Sequence, residues 1–229
     1  MTGTSRASLA VQLALFTALV LGLEHAIDAL VAAGVDPTRH ARIFGNPLLL
    51  AVPWLLWATR GDRLGAFGLA ISRGWKLAIG IGVLFFVLRF LNAVFLEDLY
   101  EPFLLGLFGG DPDAHGNRYA HLAGDLQETL RWIGLIWLFA ALGEELFFRS
   151  LMLRQAERLL GGGIAATLAA VLFSSLVFGL MHAPVGTWQA VSSTIAGLFF
   201  YAPAYLLAPI LAHGLWNSFG LTMIYLGAS

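Results

Sequence analysis

Cysteine is absent from the 229 residues, which excludes disulfides, a thiolate zinc site and a cysteine nucleophile. Charge is scarce as well: Asp, Glu, Lys and Arg make up 12% of the chain, about half the roughly 25% of an average soluble protein. A formal net charge of -1 and a pI near 6.6 leave no basic stripe to neutralise phosphates, so nucleic acid is excluded as a partner. There is no internal repeat and no low-complexity segment. Hydrolytic chemistry, if the chain performs any, has to come from side chains other than thiols.

What the chain has is apolar length. Hydrophobic residues are 59% of the total and the mean hydropathy is +0.79, too apolar for a soluble core and suited to a bilayer. Runs able to form membrane helices lie at about 8–33, 46–59, 76–96, 127–150, 164–182, 187–204 and 208–227. The expectation is an all-α, polytopic protein of the cell membrane with about seven transmembrane helices, six to eight allowing for Pro53 in the short second run. Residues 1–229 then form a single integral membrane domain. Arg6 ahead of an apolar stretch resembles a signal peptide. The apolar pattern continues through Ala26 to Val35 without a small-x-small cleavage site, however, which favours an uncleaved first span.

Positive charge fixes the expected orientation. Arg60, Arg63, Arg73 and Lys76 precede the third span and Arg154 and Arg158 follow the fourth, which puts both connections in the cytoplasm. Segment 97–119 carries Glu97, Asp98, Glu101, Asp111 and Asp113 against Arg118 alone, which puts it on the other side. The N-terminus is then inside and the C-terminus outside, with Arg39 and Arg42 running against the scheme.

Ionisable groups in hydrocarbon cost about 2.5–3.5 kcal/mol each on insertion scales, so each needs a partner or a function. Three constellations stand out: Gly143-Glu144-Glu145-Leu146-Phe147-Phe148-Arg149 in the fourth run, Phe178-Gly179-Leu180-Met181-His182 ending the fifth, and His213-Gly214-Leu215-Trp216-Asn217 in the seventh. Four-residue spacing puts Glu145 with Arg149, Phe178 with His182, and His213 with Asn217 on common helix faces. Glu144, about 100° around from Glu145, is free to face elsewhere.

The likeliest turn between the fourth and fifth helices is Gly161-Gly162-Gly163. Glu144 lies 18 residues before Gly162 and His182 lies 20 after it. At about 1.5 Å per residue the two stand at nearly the same level, provided the fourth helix continues through the amphipathic stretch 150–160. A carboxylate beside an imidazole can activate water. His213 and Asn217 supply donors of the kind that stabilise an oxyanion. Together they make a hydrolytic site without a Ser, Thr or Cys nucleophile.

In that order on successive apolar helices, E-E-x-x-x-R, F-x-x-x-H and H-x-x-x-N resemble the CPBP family of intramembrane proteases, the CAAX proteases and bacteriocin-processing enzymes also called the Abi family. The resemblance covers roughly 125–225 and leaves the helices of 1–124 without an assigned role. It implies an active site inside the helix bundle in which Glu144 and His182 activate the water and His213 and Asn217 form the oxyanion site. Glu145, Arg149 and Phe178 support the arrangement. No cofactor is implied. The partners are the lipid bilayer and a membrane-anchored protein or peptide substrate, such as a prenylated tail, a bacteriocin leader or a C-terminal sorting signal.

Two other readings compete. Glu144, His182 and His213 could ligate zinc, although there is no H-E-x-x-H and only two of the three are imidazoles. A transporter or an immunity or partner-binding protein could retain the family core without catalysis. Outside the core, Glu24, His25 and Asp28 read as a structural group or an interfacial helix end, and Arg89 as paired with a carboxylate or reaching for the interface. Ser192, Ser193, Ala196 and Gly197 read as a close-packing face.

Overall fold

The computed structural model describes residues 5–34, 42–60, 74–111, 119–199 and 206–227. Among them there are helices and short connections but no strand. This is the open-ended architecture hydrocarbon permits, because each helix satisfies its own backbone groups. The helices are α1 (Arg6–Ala32), α2 (Arg42–Arg60), α3 (Trp75–Phe95), α4 (Glu97–Phe108), a long α5 from Leu126 to Leu159, α6 (Ile164–Met181), α7 (Thr187–Phe199) and α8 (Leu207–Tyr225). Three are long and apolar enough to cross a membrane: α1 over Arg6–Leu23, α3, and α6 within Ile164–Val185.

Helix α4 adds to the expected pattern, since its sequence reads as an acidic connection. Glu97 and Asp98 occupy its first turn, where the helix dipole favours negative charge. Glu97 also turns back to Arg89 of α3, with Nη1 2.9 Å from Oε2, and the Arg89 guanidinium lies over the Trp216 ring at 4.1 Å. Arg89 therefore has the carboxylate partner expected of it. At the same junction the Asn92 amide donates to the Tyr100 hydroxyl at 2.8 Å, and burial pushes that hydroxyl above its usual range.

Helix α5 starts on an Asp125 cap that accepts from the Glu128 N–H. It then runs without a break past Arg149, as the hairpin argument requires. Over Ile136–Glu144 and again over Leu146–Met152 it is π-helical, a form that is rare and often found at functional sites. Bonding i→i+5 places more residues in each turn, so successive side chains diverge by less than the 100° of an α-helix. The helix closes where Gly162 N–H bonds Glu157 O and Gly161 N–H bonds Arg158 O, a Schellman arrangement that needs the left-handed φ of 92° at Gly161. The turn falls at Gly161–163, where the sequence puts it.

In lipid, helices associate through close packing of small residues and not through a hydrophobic drive. A Cβ on Gly82 would stand 2.8 Å from Ala208 O, and one on Gly179 would stand 2.5 Å from Ala190 O, so α3 meets α8 and α6 meets α7 backbone to backbone. Gly82 with Ala208, Arg89 with Trp216 and Phe90 with Phe219 rise together in number, so α3 and α8 are parallel. Gly124 N–H bonds Tyr225 O, joining the start of α5 to the end of α8. Arg6 lies beside Gly161, joining the start of α1 to the end of α5. Such end-to-end pairings are those an alternating up-and-down order demands. The main core lies one turn beyond the glutamates, where Phe147, Phe148 and Met152 of α5 pack on Phe16 and Val20 of α1 and Phe178 of α6.

His25 is exposed. The Glu24 and Asp28 side chains, and Arg39, Arg63 and Arg73, lie outside the described residues.

Candidate active site

The polar constellations come together at mid-α5. Glu144 is 5% exposed and Glu145 is wholly buried, both in a helix whose neighbours are apolar. Glu145 uses both oxygens: Oε2 takes Arg149 Nε at 3.2 Å, and Oε1 lies 2.9 Å from Nδ1 of His213 on α8. The pairing with Arg149 is the one the four-residue spacing predicts. The second partner is not, because the sequence suggests that Glu145 turns away from the site. Glu144 reaches the same imidazole from its other edge, with Oε2 3.9 Å from Nε2 of His213. Two consecutive residues thus meet one ring, at the junction of the two π segments where Glu145 is α-helical.

His213 is held tightly. Beside a carboxylate that also pairs with Arg149, its Nδ1 is the donor. Gly214 brings the next turn of α8 against Trp137 of α5, where a Cβ would be 2.6 Å from the ring, and the Trp137 indole N–H donates to Ser218 Oγ at 2.9 Å. Trp137 and Ser218 went unnoticed in the sequence, although a glycine inside an apolar helix is the usual signal of such an approach. Asn217 lies one turn beyond His213 on the same face of α8 and is half-buried.

Phe178 links the remaining members. Its ring lies 4.7 Å from that of His182 and 6.2 Å from that of His213, and the Arg149 guanidinium covers it at 4.5 Å. His182 ends α6 half-buried, with Nδ1 2.8 Å from Phe178 O; as that carbonyl only accepts, Nδ1–H donates. Ser174 Oγ donates to Phe148 O at 2.9 Å, which ties α6 to α5 one turn from the glutamates. The cross-link pairs positions 14 before and 12 after Gly162, so the equal-level argument for Glu144 and His182 holds to within about a turn. Gly197 of α7 leaves room for Ser175 and Arg149, a Cβ there lying 3.0 and 3.3 Å from them. Among the described residues no three His, Asp or Glu side chains are grouped so as to hold a metal ion.

The model of the family described as "Type II CAAX prenyl endopeptidase Rce1-like" matches residues 126–219. Over that segment the chain is similar to this family. The Rce1-like segment is the CPBP-type core of the sequence reading. It opens with α5, closes within α8 and contains Glu144, Glu145, Arg149, Phe178, His182, His213 and Asn217. No curated relative and no solved structure matches the chain. With this similarity and, among the described residues, three helices apolar enough to span a bilayer, the chain is a membrane protein.

Proposed function

We propose that the chain is a multi-pass intramembrane endopeptidase of the cell membrane, of about seven crossings, in which Glu144 and His182 activate the hydrolytic water and His213 and Asn217 stabilise the oxyanion. The observation that carries this reading is the convergence of two buried carboxylates on His213, at 2.9 and 3.9 Å, in a helix that would otherwise be lipid-compatible. Nothing structural requires so costly an arrangement, since an apolar replacement would pack there without desolvating four charged groups.

The chemistry follows from what each atom can still do. With Glu144 ionised, its carboxylate takes a proton from water as the water oxygen attacks the scissile carbonyl carbon, and His182 Nε2 orients that water. The carbonyl oxygen becomes the oxyanion, facing Asn217 and His213. Since Nδ1 of His213 is engaged by Glu145, the donor to the oxyanion is Nε2–H. An imidazolium at His213 with Glu144, Glu145 and Arg149 sums to zero charge, which suits an apolar bundle. The proton held by Glu144 then passes to the leaving amine as the C–N bond breaks, so the carboxylate is restored and no covalent intermediate or cofactor is needed.

The family's name makes a prenylated CAAX-type tail the first substrate class to test, with 126–219 as the catalytic core and α1 to α4 completing the membrane domain. The test compares cleaved C-termini in membranes carrying the wild-type chain with those carrying Glu144→Gln. Prenylated proteins cleaved only by the wild type are expected. An identical set of termini overturns the proposal. Activity that survives thorough chelation, with no metal by elemental analysis, separates this mechanism from a zinc-dependent one.

A further inference from the structure

The cytoplasmic end assigned to α5 carries a second feature that the proteolytic reading leaves unused. Arg154, Glu157 and Arg158 of α5, with Gly161 and Gly162 of the turn, line an open cavity of about 410 Å³. Arg6, at the start of α1, brings Nη2 to within 3.6 Å of where a Gly161 Cβ would be. Among the described residues none of these three arginines forms an ion pair, and the one carboxylate present, Glu157, accepts from Thr167 Oγ1 at 2.5 Å. The last carbonyls of α5 are already served by the Schellman bonds, so the guanidinium groups are not needed to cap them. Next to the cavity α6 begins on Gly163 with no side-chain cap, presenting the positive end of an 18-residue helix.

The cavity's level in the fold identifies its ligand. Two of the three spanning helices start there, α1 at Arg6 and α6 at Ile164, so it lies where hydrocarbon gives way to headgroups. Directly below, Ile164, Leu168, Leu172, Leu176 and Leu180 follow at four-residue steps down α6 and all are exposed, Ile164 at 83% and Leu168 at 65%. A cationic cradle above an unbroken apolar stripe has the two-part chemistry of a phospholipid. We propose that Arg6, Arg154 and Arg158 bind the phosphate of an anionic phospholipid whose acyl chain lies along the Ile164–Leu180 stripe. Arginine suits the task because its planar fork holds phosphate oxygens in pairs. The inference rests on the chain's membrane location and not on its catalytic chemistry, and its readout requires no turnover.

The test places the full-length chain in nanodiscs of equal phosphatidylglycerol and phosphatidylcholine and counts the lipids retained by native mass spectrometry. Phosphatidylglycerol should be retained over phosphatidylcholine by about tenfold or more. Arg154→Gln and Arg158→Gln should each weaken that retention roughly fivefold, the factor that corresponds to one basic residue at an anionic surface. Arg131→Gln, at the opposite end of α5, should change nothing and serves as the folding-competent control; Arg158 is itself exposed, so its replacement leaves packing intact. Equal retention of the two lipids overturns the proposal, as does wild-type retention in both cradle variants. A third arm adds millimolar inorganic phosphate to discs of phosphatidylcholine alone. Binding of phosphate there, without any preference for phosphatidylglycerol in the mixed discs, would make this a small-anion site and defeat the lipid reading.

Discussion

Arg89 and Arg149 both lie within helices of this protein, and their surroundings are alike up to a point. Arg89 of α3 pairs with Glu97 at 2.9 Å and covers Trp216; Arg149 of α5 pairs with Glu145 at 3.2 Å and covers Phe178. Each has a carboxylate and an aromatic face among its partners, which helps make a guanidinium tolerable away from water. They differ in what the carboxylate does next. Glu97 begins a short helix at the edge of the bundle, with 12% and 17% of the two side chains exposed, whereas Glu145 is buried and passes its second oxygen to His213. One pair neutralises a charge and pins α4 to α3. The other holds Nδ1 of an imidazole whose far edge faces Glu144.

Substitutions at the two glutamates and their neighbours should separate these roles. The largest effect is expected at the proposed water-activating pair: Glu144→Ala and His182→Ala should each lower peptide cleavage by about 10³–10⁴-fold, with the double variant little worse, because members of one unit are non-additive. Purified variants assayed on a prenylated peptide provide the measurement, and substantial activity in either would remove that residue from the pair. Next comes Glu145→Ala, which strips a buried arginine and His213 of their partner. It should cost about 3–5 kcal/mol in unfolding free energy as well as activity. The matched Glu97→Ala should cost about 1 kcal/mol and leave turnover unchanged, since its partner is close enough to the bundle edge to be hydrated. Comparable losses of activity from both would erase the distinction drawn between the two pairs.

Smaller effects sharpen it further. Asn217→Ala should lower turnover by about 10²–10³-fold with KM little altered, as for one lost oxyanion donor; a defect confined to KM would make Asn217 a substrate contact. Gly214→Ala drives a methyl into the Trp137 ring, which is 2.6 Å away. It should destabilise the fold by about 1–3 kcal/mol and displace His213 from Glu145. Thermal unfolding in detergent would register the first effect and a shifted pH profile of cleavage the second.

Much of the site was legible because its spacing is local. Four-residue steps already pair Glu145 with Arg149 and Phe178 with His182, and glycine punctuation locates the α5–α6 turn. The convergence of Glu144 and Glu145 on His213 was not legible, because it depends on how α8 docks on α5, which leaves no mark in hydropathy. Helix α4 escaped for a related reason: its acidic first turn reads as a polar connection, and only docking on Arg89 and Asn92 shows it to be a packed helix.

The sequence by itself determined the solvent, the helical class and the identities of the polar residues placed in apolar helices, since composition and spacing report directly on what a bilayer permits. Tertiary structure alone decided which of those residues meet. His213 lies 68 positions from Glu145, and no periodicity connects residues so far apart. Their contact needs close helix packing, in which Gly82 and Gly179 let helices close to backbone distance and Gly214 admits the Trp137 ring of α5 against α8. That proximity brings Glu144, Glu145, Arg149 and His213 together in a buried cluster, where their charges act on one another more strongly than in water.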